Sequence, residues 1–536
     1  MKQIFALVKN RLGLFIAGCI TALTAGLCTA KVIDYINSGL KNQEGITTEF
    51  LIGIVGFSLA AASIGVLSSY FVSKINIIIV RELTKKLVRK TLMARYEYIE
   101  AVSDKVLPII TKDISDISNF VDRIPTFLIA ATAVVGTLVR LFIIDAQLTS
   151  YFFIVFGLQT LLVIILIPKL KRYTRISVRF RNFHYRNLGN MVAGLKELSL
   201  NKEKRNHYLG EVISSDMNQM NSAFLKGRVT NGVSQRVTDL LIFLFVGIFM
   251  YLSIDYLDFD FERFKIFLPI ILFVTPYFAK ISGFFQDLKS VEVSFEQINS
   301  ISSEIDQFSI SSQKKLQKDA SHSDIVALEN ISYQYLESRH DNSLTFGPLT
   351  MGIKTGKITF IIGGNGSGKT TFAKILTGLY EPKTGHIVYK GQKVSEENLI
   401  DYRNQFSAYF ADSFTFGQLG YIDKNHLDKN AAGTIQLLEM QSKVQLDANY
   451  NFSTTNLSFG QISRLSLITK ILEDKEIYLF DEWAANQDPY FKKIFYYSIL
   501  PELKRNGKTV IVISHDEKYF DVADEIIELQ EGMTLK

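Results

Sequence analysis

The stretch Gly363-Gly364-Asn365-Gly366-Ser367-Gly368-Lys369-Thr370-Thr371 decides how this chain is read. The apolar run Ile358-Thr359-Phe360-Ile361-Ile362 before it has the pattern of a buried strand, and Phe372-Ala373-Lys374-Ile375-Leu376 after it reads as helix. In a strand, glycine loop and helix of this kind, backbone N–H groups curl around phosphate oxygens and the helix N-terminus adds partial positive charge. Lys369 is placed to reach the β- and γ-phosphates, and the Thr370 hydroxyl to bind Mg²⁺. The pattern predicts a site for ATP or a similar triphosphate with magnesium.

Two more segments complete a hydrolytic site. Ile477-Tyr478-Leu479-Phe480-Asp481-Glu482 is an apolar strand ending in two carboxylates. Asp481 suits a magnesium held through water, and Glu482 can polarise the attacking water as general base. Another apolar run, 511–513, delivers Ser514-His515-Asp516, where His515 could contact the γ-phosphate. Strand-like runs at 325–328, 358–362, 477–480 and 510–513 alternate with helical patterns, which predicts an α/β domain.

The chain has 536 residues, of which 47% are hydrophobic, enough for several domains and high for a wholly soluble enzyme. The apolar excess lies before residue 300. Apolar segments near 12–35, 50–73, 124–145, 148–167, 237–256 and 264–285 approach the roughly 20 residues that a spanning helix requires. Six spans are therefore expected. Although Lys2, Lys9 and Arg11 precede the first run as in a secretory signal, its length predicts a retained helix.

The long polar stretches 74–123 and 168–236 are basic, with Lys169, Lys171, Arg172, Arg175, Arg179, Arg181 and Arg186 in the second. The short loops opposite carry Glu44, Glu49, Asp255, Asp258, Asp260 and Glu262. Basic loops remain cytoplasmic, which places both termini inside. Loops this long predict helices that run into the cytoplasm and turn back, with bends at 96–106 and 190–200 able to touch a cytoplasmic motor. The domain expectation is a transmembrane domain over 1–300, a Ser-, Lys- and Gln-rich linker over 301–324, and a nucleotide-binding domain over 325–536. Cys19 and Cys28 both lie in the first apolar run and read as membrane packing. Arg140 and Lys280 lie near the ends of spans, where snorkelling to the interface suffices. The sharper reading is that one of them meets an anionic substrate, with Gln159 and Tyr277 as further cavity candidates.

Leu457-Ser458-Phe459-Gly460-Gln461 resembles the signature of ATP-binding-cassette (ABC) proteins, commonly Leu-Ser-Gly-Gly-Gln, with Phe459 as the departure. The resemblance implies that Ser458 and Gly460, within the motif closed by Gln461, bind the γ-phosphate of ATP held by a second copy. It also implies that Tyr335 stacks on adenine. Aligned through Tyr402-Arg403-Asn404-Gln405, the resemblance puts Ala411, followed by Asp412, where a glutamine usually ligates Mg²⁺, which implies Asp412 as its replacement. The phosphate loop, Phe480-Asp481-Glu482-Trp483-Ala484-Ala485-Asn486-Gln487-Asp488-Pro489, Phe452-Ser453-Thr454, Ser514-His515-Asp516 with Tyr519-Phe520, and Gly194-Leu195-Lys196-Glu197-Leu198 are similar to the cyclic-peptide exporter group. That group includes syringomycin- and pyoverdine-associated exporters and a microcin exporter. Asn486 departs from the group's usual Asp in the loop that crosses between subunits.

The resemblance implies a multi-pass half-transporter of the bacterial inner membrane. It would work as a homodimer and move a cyclic or modified peptide outward at the cost of ATP. A general multidrug or lipid exporter is the alternative, and an ATP-gated channel a third reading. Cassette ATPases that act on nucleic acid lack membrane segments, so no nucleic-acid partner is expected. With no peptidase segment ahead of the first helix, leader-peptide cleavage is not expected.

Overall fold

The computed structural model describes residues 11–41, 48–144, 146–255, 261–310, 314–316, 323–335, 345–530 and 533–535. Lys2, Lys9, Glu44, Asp258 and Asp260 lie outside these, as does the side chain of Gln159. The chain divides into two compact units, Met1–Leu92 with Val102–Gln307, and Met93–Ala101 with Phe308–Lys536.

The first unit is helical. Its helices include Leu12–Lys41, Thr48–Leu92, Ile124–Ile144, Ala146–Ala193, Ser214–Asp255 and Phe261–Gln307. Among the described residues four helical stretches are long and apolar enough to cross a membrane: Leu12–Gly39, Thr48–Leu92, Lys105–Ile144 and Leu268–Phe285. The spans expected at 148–167 and 237–256 fall on helices Ala146–Ala193 and Ser214–Asp255, many of whose side chains are not described.

Small residues let the first helices approach closely, the usual means of packing where lipid removes the hydrophobic drive. A Cβ on Gly26 would lie 2.6 Å from Thr132 Cβ, and one on Gly18 would lie 2.9 Å from Val72. Ser68 donates to the Gly18 carbonyl at 2.7 Å. Below the apolar region Val72, Ile75, Ile79, Leu83 and Leu87 keep a buried stripe at helical spacing, which explains why Thr48–Leu92 continues beyond its span. Arg140 Nε lies 3.3 Å from Asp34 Oδ1, so this cation has a protein partner. Lys280 sits over the Tyr277 ring at 4.8 Å.

The last helix of this unit runs to Gln307, into the stretch expected to be linker. The reason is a buried row, Ile298, Ile301 and Ile305, hidden in sequence among Ser and Glu. The expected second bend appears as a break at Gly194 followed by the short helix Leu195–Leu200.

The second unit holds two sheets. Strands β1 (Asp324–Gln334), β2 (Thr345–Lys354), β4 (Thr384–Tyr389) and β5 (Gln392–Lys393) form an antiparallel sheet in the order β2-β1-β4-β5. Strands β3 (Ile358–Ile362), β6 (Phe406–Tyr409), β7 (Ile477–Asp481), β8 (Thr509–Ile513), β9 (Glu525–Gln530) and β10 (Met533–Leu535) form the other, in the order β10-β9-β3-β8-β7-β6. All neighbours in it are parallel except β9 and β10. β7 and β8 are buried at every position, as strands covered on both faces must be. Because β8 lies between β3 and β7, the C-terminal ends of these three strands meet at one edge, where parallel sheets place their ligands.

Candidate nucleotide site

β3 ends at Ile362 and the chain turns through Gly363 (φ 151°), Gly366 (φ 80°) and Gly368 (φ 93°) into the helix Lys369–Leu376. A side chain at Gly363 would meet the Leu529 carbonyl at 2.3 Å, so only glycine fits there. Gly364 and Gly366 face open space, which leaves their backbone accessible to a ligand. Asn365 is exposed at the loop's tip. Ser367 Oγ is buried and has no hydrogen-bond partner among the described residues, an acceptor–donor that the phosphates of ATP would satisfy.

Lys369 is 7% exposed and its Nζ donates to the carbonyls of Gly363 and Gly364, both at 2.9 Å. Burial lowers its pKa, and the nearby Glu482 and Asp481 carboxylates oppose that shift. Asp481, at the end of β7, is 2% exposed. Burial pushes its carboxyl up to about 6, against a hydrogen bond from Thr370 and with Glu482 adding to the rise. A buried carboxylate beside a hydroxyl is a hard oxygen set of the kind Mg²⁺ prefers. Asp412 is exposed and is among the charges acting on Asp481. The described residues hold no cluster of three or more His, Cys, Asp or Glu able to bind a metal.

Glu482 follows with φ 55° and ψ 31°, the left-handed region that a side chain seldom adopts. Its N–H donates to the Ile513 carbonyl at 3.0 Å, anchoring the turn to the end of β8. Two residues past that strand, His515 Nε2 lies 3.2 Å from Glu482 Oε1. Carboxylate and imidazole thus meet although 33 positions separate them in the chain, the residue numbers being 482 and 515.

Tyr335 follows β1, and its hydroxyl shares a hydrogen bond with Thr371 in the first turn of the loop's helix. Tyr333 stacks on Tyr380 at 4.8 Å and meets Tyr335 edge-on at 5.3 Å. Ser458, Gly460 and Gln461 lie at the start of the helix Phe459–Leu472. The Ser458 N–H donates to Gln461 Oε1 at 3.1 Å, so Gln461 caps that helix. The Ser-x-x-Gln spacing is itself a capping signal legible in sequence. Ser458 and Phe459 are exposed, Phe459 by 59%.

Three sets of contacts had no sequence signal. Lys374, one turn past Thr370, pairs with Glu100 at 2.9 Å. Trp483 donates to the Ser463 carbonyl, and Gln487 to the Gly460 carbonyl.

Comparison with known proteins bears on the site as a whole. A family described as the ABC transporter matches residues 346–485, and one described as the ABC transporter transmembrane region matches residues 11–279. The chain is 30% identical over 532 residues to the ATP-binding protein SyrD of Pseudomonas syringae pv. syringae, covering 96% of this chain and 92% of that one. It is 24% identical to a probable ABC transporter ATP-binding/permease protein of Haemophilus influenzae, over 73% of this chain and 72% of that protein. It is 29% identical over 220 residues to the energy-coupling factor transporter ATP-binding protein EcfA1 of Mycoplasma mobile, covering 39% of this chain and 77% of that one.

Proposed function

The chain belongs to the ABC transporter family, and from that premise we propose that it exports a cyclic or modified peptide across a bacterial inner membrane as a homodimer. It is a multi-pass membrane protein that couples ATP hydrolysis to export. The observation that carries the mechanism is the 3.2 Å contact between Glu482 and His515 at the edge where the phosphate loop also lies.

In this reading Lys369 and the N–H groups of Gly363 to Thr371 hold the phosphates, while Tyr335 turns its ring to the adenine. Thr370, Asp481 and, from its exposed position, Asp412 would hold Mg²⁺. The ion supplies neutralisation of charge on the β- and γ-phosphates. Glu482 takes the proton of the attacking water, and His515 holds that carboxylate and senses the γ-phosphate. Ser458 and Gly460 serve the triphosphate of the other copy, which accounts for an exposed aromatic, Phe459, between them.

The peptide substrate is supported by the motifs shared with the cyclic-peptide exporter group and by the near full-length likeness to SyrD. Both termini would then be cytoplasmic, in keeping with the basic stretches at 74–123 and 168–236. Sealed inverted vesicles supplied with ATP test this. Accumulation of a cyclic lipopeptide or siderophore precursor above its outside concentration supports the proposal. Equilibration without accumulation identifies a channel, and stimulation only by dyes or lipids identifies a general exporter.

A further inference from the structure

The turn that carries the base and the helix that carries the signature are joined by two hydrogen bonds that the hydrolytic reading leaves unused. After Glu482 the chain forms a tight turn, Trp483–Asn486. Trp483 is 1% exposed, its ring 4.5 Å from Phe495. Its indole N–H donates to the Ser463 carbonyl at 2.8 Å. The Ser463 hydroxyl in turn meets Tyr409 Oη at 3.2 Å, at the end of β6. At the far end of the turn, the buried Gln487 side chain donates to the Gly460 carbonyl at 3.2 Å. A Cβ on Gly460 would lie 3.3 Å from the Asn486 carbonyl, so turn and helix are in contact there.

Gly460 and Ser463 are three residues apart and therefore share a face of the helix Phe459–Leu472. The turn grips that face at both of its ends. A phenylalanine would keep an aromatic ring beside Phe495 but not the whole volume of the indole, and it lacks the N–H directed at the helix backbone.

We propose that Trp483 and Gln487 are positioning residues for Glu482, fixing its turn to the signature helix so that the base follows that helix. The proposal rests on the composite site described above, in which Ser458 and Gly460 meet the triphosphate held by the second copy. When the start of the helix is drawn to that triphosphate, the bonds at Gly460 and Ser463 carry the displacement to residues 482–487. Each chain's base is then aligned only while the partner's nucleotide is in place.

The test uses the full chain in nanodiscs. Trp483→Phe keeps an aromatic ring in the slot and removes the donor. Gln487→Glu keeps the shape and replaces the donating amide with a carboxylate. Each should lower kcat about tenfold while leaving KM for ATP within about twofold, because the loss lies in placing the base and not in binding. Both should still form ATP-dependent dimers in a Glu482→Gln background. Trp483 is the chain's single tryptophan, so its emission reports on the turn directly. In Glu482→Gln it should change over the ATP range that drives dimer formation. Wild-type kcat in both variants overturns the proposal, as does a parallel rise in KM, or dimer formation with no change in emission. Failure of Glu482→Gln to dimerise with ATP removes the composite site, and the proposal with it.

Discussion

Glu100 Oε1 and Lys374 Nζ lie 2.9 Å apart, joining the bend after the first long helical pair to the helix that begins at Lys369. Tyr380 adds a hydrogen bond to the other Glu100 oxygen at 2.7 Å. Close by, Arg95 pairs with Glu381 and Glu396, and Tyr98 stacks on Phe308 at 4.4 Å. Residues 93–101 are thus built into the ATPase unit, on the helix that starts at the phosphate loop. A displacement of that helix on binding nucleotide would be passed to these residues through those contacts.

Glu100→Gln keeps the shape and weakens the pair. Lys374 is 13% exposed in its side chain and Glu100 39%. A double-mutant cycle with Lys374→Met should therefore return a coupling of only about 0.2–1 kcal/mol in thermal unfolding. The larger effect is expected on transport, where substrate-stimulated ATPase should fall while basal ATPase is kept. An unchanged ratio of the two rates argues against a role for the pair.

Burial alone would raise the Glu100 carboxyl, but the hydrogen bonds from Tyr380 and Lys374 outweigh it and hold the group below its ordinary range. A carboxylate depressed in the folded state contributes stability that is present above its unfolded pKa. That contribution is lost as pH falls through the folded value. The difference in Tm between wild type and Glu100→Gln should therefore be full above about pH 5 and shrink below about pH 4. A pH-independent difference would contradict this.

Glu482→Gln should bind ATP and hydrolyse it at least about 10²-fold more slowly, and His515→Ala should slow it similarly, since a general base contributes about 10² to 10⁴. ATPase assays paired with nucleotide binding check this. Normal turnover by Glu482→Gln would remove Glu482 from the role of base.

Asp113 is 1% exposed and is held by Arg181 at 2.6 Å and by the Ser294 hydroxyl at 3.3 Å, tying together three helical segments of the membrane unit. Arg181→Met strands a buried carboxylate and should cost about 3–5 kcal/mol. The double variant Asp113→Leu/Arg181→Met should recover most of that, as seen in thermal unfolding of the purified protein in detergent.

Arg140 is already paired with Asp34 at 3.3 Å. Arg140→Gln should leave the substrate concentration for half-maximal ATPase stimulation within about twofold, because that pair is partly exposed and weak. A tenfold rise would restore Arg140 as a contact for an anionic substrate.

The phosphate loop was legible because all its parts are contiguous: glycines, lysine and hydroxyl act through the backbone they sit on. Asp481, Glu482 and His515 were legible because each ends an apolar run, and buried strands announce themselves by composition. The continuation of the helix to Gln307 was not legible. Ile301 and Ile305 are isolated apolar residues among polar ones, and their burial depends on what packs against them.

Sequence alone determined that this chain spans a membrane and carries an ATP-binding cassette, because chain length, apolar runs and a continuous loop are local quantities. Tertiary structure decided that Glu482 meets His515, that Glu100 meets Lys374 and that the Trp483 indole reaches the signature helix. These contacts join residues far apart in the chain. Which carboxylate faces which donor depends on strand order and on the packing that buries them, and no run of neighbouring residues records either.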